Sequence, residues 1–204
     1  MRLPHPAVLL ITDRKVAKKP LDHVVRAALD GGCRWLSLRE KDLAPDQRHQ
    51  LLETLIVPTR AAGATFTVHE DLGAAAGVDG VHLPRRGDPE AARAQLGRRA
   101  LIGCSAHDQA EALAAQAAGA DYLTLSPVFP SLSKPGYDKA LGLEGLSSVT
   151  SELTIPAIAL GGITADTAAA CRAAGAAGIA VCGVIMMAKD PAAAMAKVVN
   201  AFEG

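Results

Sequence analysis

Ala117-Ala118-Gly119 ahead of the apolar run 121–125, and Ala173-Ala174-Gly175 ahead of 178–182, repeat one phrase: a small-residue helix end, a glycine, then a strand. The phrase recurs as Leu29-Asp30-Gly31-Gly32 before 33–38 and Ala61-Ala62-Gly63 before 64–68. It returns as Ala75-Ala76-Gly77 before 78–83 and Gln95-Leu96-Gly97 before 100–104. A glycine just past a helix accommodates a left-handed cap. The runs that follow are short and rich in Val, Ile and Leu, the pattern of a strand buried on both faces. Residues 8–12 open the series, and 155–160 follow a helix end that lacks glycine. Eight strands, each followed by a helical segment, predict an α/β fold, a closed (β/α)8 barrel; the alternative is an open doubly wound sheet. In a barrel the chemistry sits on the loops after the C-terminal ends of the strands.

Composition sets bounds on that reading. A chain of 204 residues is one domain, 1–204, near the short limit for such a barrel, so a long loop draws notice. Lys plus Arg equals Asp plus Glu at 21 each, and only six residues are aromatic, which gives a nucleic-acid surface no support. No apolar run reaches the length of a membrane span, and the start of the chain lacks the pattern of a signal peptide. Cys33, Cys104, Cys171 and Cys182 show no C-x-x-C spacing; they read as small apolar residues, three in strands and one in a helix, in a reducing cytoplasm. Oligomeric state is left open, a homo-oligomer included.

Helices are expected at 21–30, 45–62, 70–76, 89–96, 109–118, 143–151, 165–174 and 191–202. Pro45, Asp88-Pro89 and Thr164 mark three of the starts. The one long loop, 126–142, follows the sixth strand and holds three prolines together with Ser131, Ser133 and Lys134; such a loop in an economical barrel is an expected active-site loop.

The strand ends deliver two chemical groups to the catalytic face. Gly161-Gly162 after the seventh strand and Gly183 after the eighth stand where barrels bind phosphate through backbone N–H groups; tight turns are the plainer explanation. Arg39 and Lys41 after the second strand, Ser105 after the fifth, and Ser131, Ser133 and Lys134 on the long loop supply cations and hydroxyls for a second anion such as a pyrophosphate. Arg39-Glu40-Lys41 read without that role is a solvated charge cluster. His69, His82 and His107 end three successive strands, but no H-x-H or H-x-x-x-H spacing supports a tri-histidine metal site, and such histidines also orient ligands. Glu70 and Asp71 are candidate Mg²⁺ ligands, with the acidic first turn of a helix as the competing reading.

Taken in order, these motifs resemble the thiamine phosphate synthase superfamily, which includes the TenI-type thiazole tautomerase branch. The likeness runs through Ile11-Thr12-Asp13, Arg39-Glu40-Lys41, Asp79-Gly80-Val81-His82 and Gly103-x-Ser105-x-His107. It continues through Gly119-Ala120-Asp121-Tyr122, Ser126-Pro127-Val128-Phe129-Pro130 as far as Lys134, Leu160-Gly161-Gly162-Ile163 and the stretch 175–181. The resemblance implies a transferase that joins hydroxymethylpyrimidine pyrophosphate to thiazole phosphate and releases pyrophosphate, with Mg²⁺ on the leaving group. Its substrates are phosphorylated heterocycles. By match, Arg39, Lys41, Ser105, Ser131, Ser133 and Lys134 hold pyrophosphate, while Gly162 and the Gly183 backbone hold the thiazole phosphate; His82 and His107 are further ligand-binding candidates.

The chain departs from that pattern in places. Ser37 stands where the synthase has glutamine, and His69-Glu70 replaces its Asn-Asp pair. His82-Leu83-Pro84-Arg85-Arg86-Gly87 lacks the second metal-binding Asp, with Asp88 one place late; Arg85 and Arg86 are expected to take over part of the lost carboxylate's role by neutralising leaving-group charge. The Leu-Pro after His82 resembles the tautomerase branch, yet Pro127 stands where that branch has its histidine. A tautomerase using His69 or His107 as base, and a phosphate-binding regulatory paralogue, are the alternative functions.

Overall fold

A computed structural model describes residues 3–130 and 140–204. Eight parallel strands close into a barrel in sequence order. They are β1 (Val8–Ile11), β2 (Trp35–Leu38), β3 (Thr65–His69), β4 (Gly80–Leu83), β5 (Leu101–Ala106), β6 (Tyr122–Leu125), β7 (Ala157–Leu160) and β8 (Gly178–Val181). Closure is made where Leu9 of β1 registers with Ala180 of β8. The protein is therefore the (β/α)8 barrel that the repeated phrase predicts. Gly119 and Gly175 have φ of 87° and 90°, the left-handed values for which a helix-ending glycine is suited.

The helices are α1 (Leu21–Asp30), α2 (Pro45–Ala61), α3 (Leu72–Ala75), α4 (Pro89–Leu96), α5 (Gln109–Ala117), α6 (Gly142–Ser151), α7 (Ala165–Ala173), α8 (Gly183–Met186) and α9 (Pro191–Glu203). In α1 the buried set Leu21, Val24, Val25, Ala28 and Leu29 forms one stripe at helical spacing against the barrel. Asp71, Asp88, Asp108 and Asp190 each accept a backbone N–H of the first turn they precede. Two local expectations are corrected. The third helix begins at Leu72 rather than at residue 70, because Glu70 is left-handed (φ 62°) and Asp71 caps. The single turn α8 is too short to show a period in sequence.

Two apolar layers result. Between strands and helices lies the large core, with Leu36, Leu38, Phe66, Val68, Leu123 and Leu125 pointing outward from the barrel. Inside the barrel, Leu9, Trp35, Leu101, Tyr122, Ile158 and Ala180 fill the floor, and the Trp35 and Tyr122 rings meet edge to face at 4.8 Å. Gly103 faces the Tyr122 ring; a Cβ there would lie 2.1 Å from it, so the large ring on β6 requires the absent side chain on β5. Cys33 and Cys182 fall just outside their strands, while Cys104 is in β5 and Cys171 in α7; all four are free thiols. Burial pushes the Cys104 and Cys171 thiols up, to about 12 and about 11, out of the reactive range. Among the described residues no helix is long and apolar enough to cross a membrane.

Candidate active site

Alternation along a strand decides what reaches the barrel mouth. On β2, Trp35 and Ser37 face the interior, and Arg39 continues that parity just past the strand end. Glu40 takes the opposite side. It is 2 % exposed, and both its carboxylate oxygens accept the Arg14 N–H, at 3.1 and 3.2 Å. Burial raises its pKa, offset in part by the hydrogen bonds from Thr12 and Arg14. The triplet is thus no solvated cluster: Glu40 ties the β1 loop to β2 from behind. Thr12 completes the brace by accepting the Arg39 N–H at 2.9 Å. The Arg39 guanidinium makes no ion pair among the described residues, whereas the nearby Arg14 and Lys15 both pair with Asp42.

Above the apolar floor the interior becomes polar. His82 is 1 % exposed and lies at the centre of a hydroxyl ring. Its Nδ1 is 3.1 Å from the Tyr122 hydroxyl, and its Nε2 lies 3.0 Å from Ser105 Oγ and 3.2 Å from Thr124 Oγ1. Burial, then the Lys41 and Arg39 charges, push its pKa down to about 3, so the ring is neutral. A neutral imidazole has one donor and one acceptor. In the tautomer that accepts from Tyr122 at Nδ1, the Nε2–H faces Ser105 and Thr124, and the Ser105 hydroxyl keeps its own proton for another acceptor. The His82 ring lies one layer below the mouth, beside the partly exposed Ser105. The His69 ring lies against His82 with centroids 4.7 Å apart and planes tilted by 45°, and it is held neutral by burial and by the charges around it. Ser37 Oγ and His69 Nε2, on the neighbouring strands β2 and β3, are buried without a hydrogen-bond partner among the described residues. His107 donates from Nδ1 to the Ser126 carbonyl at 2.6 Å, and its backbone N–H is held by Glu111. Arg85 pairs with the same Glu111 at 3.1 Å.

On the far side of the mouth, Gly161 and Gly162 have φ of 96° and 64°. A Cβ on Gly161 would stand 2.8 Å from Pro127 Cα, and one on Gly162 would stand 2.7 Å from Pro130 O. Phe129 N–H donates to Gly161 O at 3.0 Å. The two glycines thus serve the seating of the β6 loop as well as any anion. Gly183 opens α8, whose first N–H groups have no intrahelical acceptor. Ser131, Ser133 and Lys134 lie outside the described residues.

Glu70 and Asp71, the expected metal ligands, are engaged otherwise. Glu70 pairs with Lys41. Asp71 accepts the Ala74 N–H on Oδ1 at 2.9 Å and faces Arg48 Nε through Oδ2 at 3.1 Å. No group of three His, Cys, Asp or Glu side chains suited to an ion exists among the described residues. Mg²⁺ requires an oxygen-rich shell, and each of these carboxylates already faces a cation, so this donor set does not fit it.

The model of the thiamine monophosphate synthase family matches residues 8–185. The chain belongs to that family. It is 41 % identical over 195 residues to a thiamine-phosphate synthase of Chlorobium luteolum, covering 94 % of this chain and 91 % of the relative. It is 38 % identical over 189 residues to a thiamine-phosphate synthase of Moorella thermoacetica, covering 91 % and 90 %. A solved thiamine phosphate pyrophosphorylase from Pyrococcus furiosus superposes with a TM-score of 0.87 at 34 % identity, over 96 % of this chain and 95 % of that one. Within the family frame, the residues that sequence reasoning missed are the braces: Glu40 and Thr12 behind Arg39, and Tyr122 and Thr124 around His82. Strand parity is the signal that places them.

Proposed function

We propose that this chain is a thiamine-biosynthesis transferase, joining hydroxymethylpyrimidine pyrophosphate to thiazole phosphate with release of pyrophosphate. The observation that carries the reading is Arg39: a cation at the barrel mouth with no carboxylate partner among the described residues, braced by Thr12 and Glu40, in a chain of the synthase family. The C–O bond between the pyrimidine methylene and the pyrophosphate breaks, and its electron pair leaves with the pyrophosphate. The thiazole nitrogen then supplies the pair that forms the new C–N bond. Such a reaction needs charge stabilisation on the leaving group more than a general base. Arg39 and Lys41 supply it, and Ser105, held by neutral His82, adds a hydroxyl donor. The backbone N–H groups at Gly183 and the Gly162 turn are the reading's thiazole phosphate cradle. Ser131, Ser133 and Lys134 complete the clamp by family match.

The names of the relatives favour the synthase over the isomerase and the regulatory paralogue. The test is a turnover assay with both substrates, following thiamine phosphate and pyrophosphate together. Equal amounts of the two products are expected; release of neither from a folded protein would remove the reading.

A further inference from the structure

We propose that Glu70 is a displaceable counter-ion of Lys41, not a metal ligand, and that the barrel mouth binds a diphosphate by exchanging this pair for phosphoryl oxygens without a protein-held divalent ion. The inference rests on the mouth being the pyrophosphate site. Four observations support it. Glu70 is a non-glycine residue in the left-handed region, with its N–H donating to the His82 carbonyl at 3.0 Å. Such a conformation is uncommon and persists where the surroundings impose it. The turn it makes brings the carboxylate of the β3 end onto the ammonium of the β2 end.

Both partners are substantially exposed, 50 % for the Lys41 side chain and 39 % for Glu70, so the pair is weakly held and open to exchange. Asp71 is committed on both oxygens, to its own helix and to Arg48, which leaves Glu70 no second carboxylate among the described residues with which to share an ion. The adjoining Arg39 has no carboxylate partner among the described residues, so among them a diphosphate arriving at the strand ends meets one unpaired cation and one that needs only to release Glu70. A divalent ion in the same place would sit beside Lys41 and Arg48.

The experiment is calorimetric titration of the full chain with inorganic pyrophosphate, in chelator and in excess Mg²⁺, alongside titration with Mg²⁺ alone. The wild-type chain is expected to bind pyrophosphate in chelator and to give no binding heat with Mg²⁺ alone. Glu70→Gln, which frees Lys41, is expected to tighten pyrophosphate about two- to fivefold in chelator, the size of a surface ion pair. Glu70→Gly, which also suits the left-handed backbone, is expected to tighten it as well, so one misfolded variant does not decide the matter. Weaker or unchanged affinity in both variants overturns the proposal. So does wild-type binding that requires Mg²⁺, or no pyrophosphate binding in any condition. Synthase turnover is measured separately on the wild type: turnover with weakened variants removes the counter-ion and leaves the function. Tightened variants without turnover remove the function and leave the counter-ion.

Discussion

Arg39 has its backbone N–H fixed by Thr12 Oγ1 while its side chain lacks an ion-pair partner among the described residues. Anchored backbone and uncommitted charge are what a preorganised electrostatic contact needs. Arg39→Ala is expected to lower kcat/KM by on the order of 10²-fold with the fold intact, measured by steady-state kinetics beside circular dichroism. His82 offers a different test. Its folded pKa is about 3, against an ordinary 6.5, so the unfolded chain takes up the proton first as pH falls. The stability contributed by the neutral ring is whole above pH 6.5 and is lost progressively between 6.5 and 3, at up to about 1.4 kcal/mol per pH unit. His69, lowered in the same direction, adds to the slope, and Glu40, raised by burial, opposes it at the acid end. Urea midpoints are expected to fall from pH 7 to pH 5 and to fall less steeply in His82→Gln. Equal slopes in the two proteins would remove His82 from the linkage.

Among the elements, the two anion-cradle glycines divide by geometry. Gly162 is left-handed and faces Phe129 and Pro130 at 2.7 Å, whereas a Cβ on Gly183 meets only the flexible end of Met187, at 3.1 Å. Gly162→Val combines backbone strain with overpacking and is expected to cost about 2 kcal/mol or more, read as a lower thermal midpoint. It is therefore a poor probe of phosphate binding. Gly183→Ala is expected to keep the wild-type midpoint and weaken thiazole phosphate severalfold in calorimetry. Unchanged affinity there would remove α8 from the cradle.

For the whole molecule, closure depends on how α9 returns to the barrel. It packs on α1 and α7 and buries Met195, Val198 and Phe202. Gly31 at the end of α1 lies so near α9 that a Cβ would stand 2.3 Å from the Ala192 carbonyl oxygen. Gly31→Ala must push backbone against backbone. It is expected to cost about 1–3 kcal/mol, lowering the thermal midpoint by roughly 2–12 °C in a chain of this size. A wild-type midpoint would show that α9 shifts freely and is not needed for closure.

The sequence by itself pointed to the barrel: eight apolar strands alternating with helical segments, six of them entered through a glycine, call for a parallel sheet covered by helices. It also placed Arg39, Lys41, Ser105 and the glycines at strand ends, because the chain order of strand and loop is local information. Only the tertiary structure decided which of those residues are committed. Glu40 next to Arg39 in sequence lies on the other side of the strand and is buried, since successive side chains alternate. His82 and Tyr122 are forty residues apart and meet only because neighbouring strands bring them to one interior layer. Lys41 and Glu70 likewise come together across β2 and β3, helped by a backbone turn at Glu70 that no residue preference announces. Whether a carboxylate is available to a ligand depends on what already neutralises it, and that partner comes from another part of the chain.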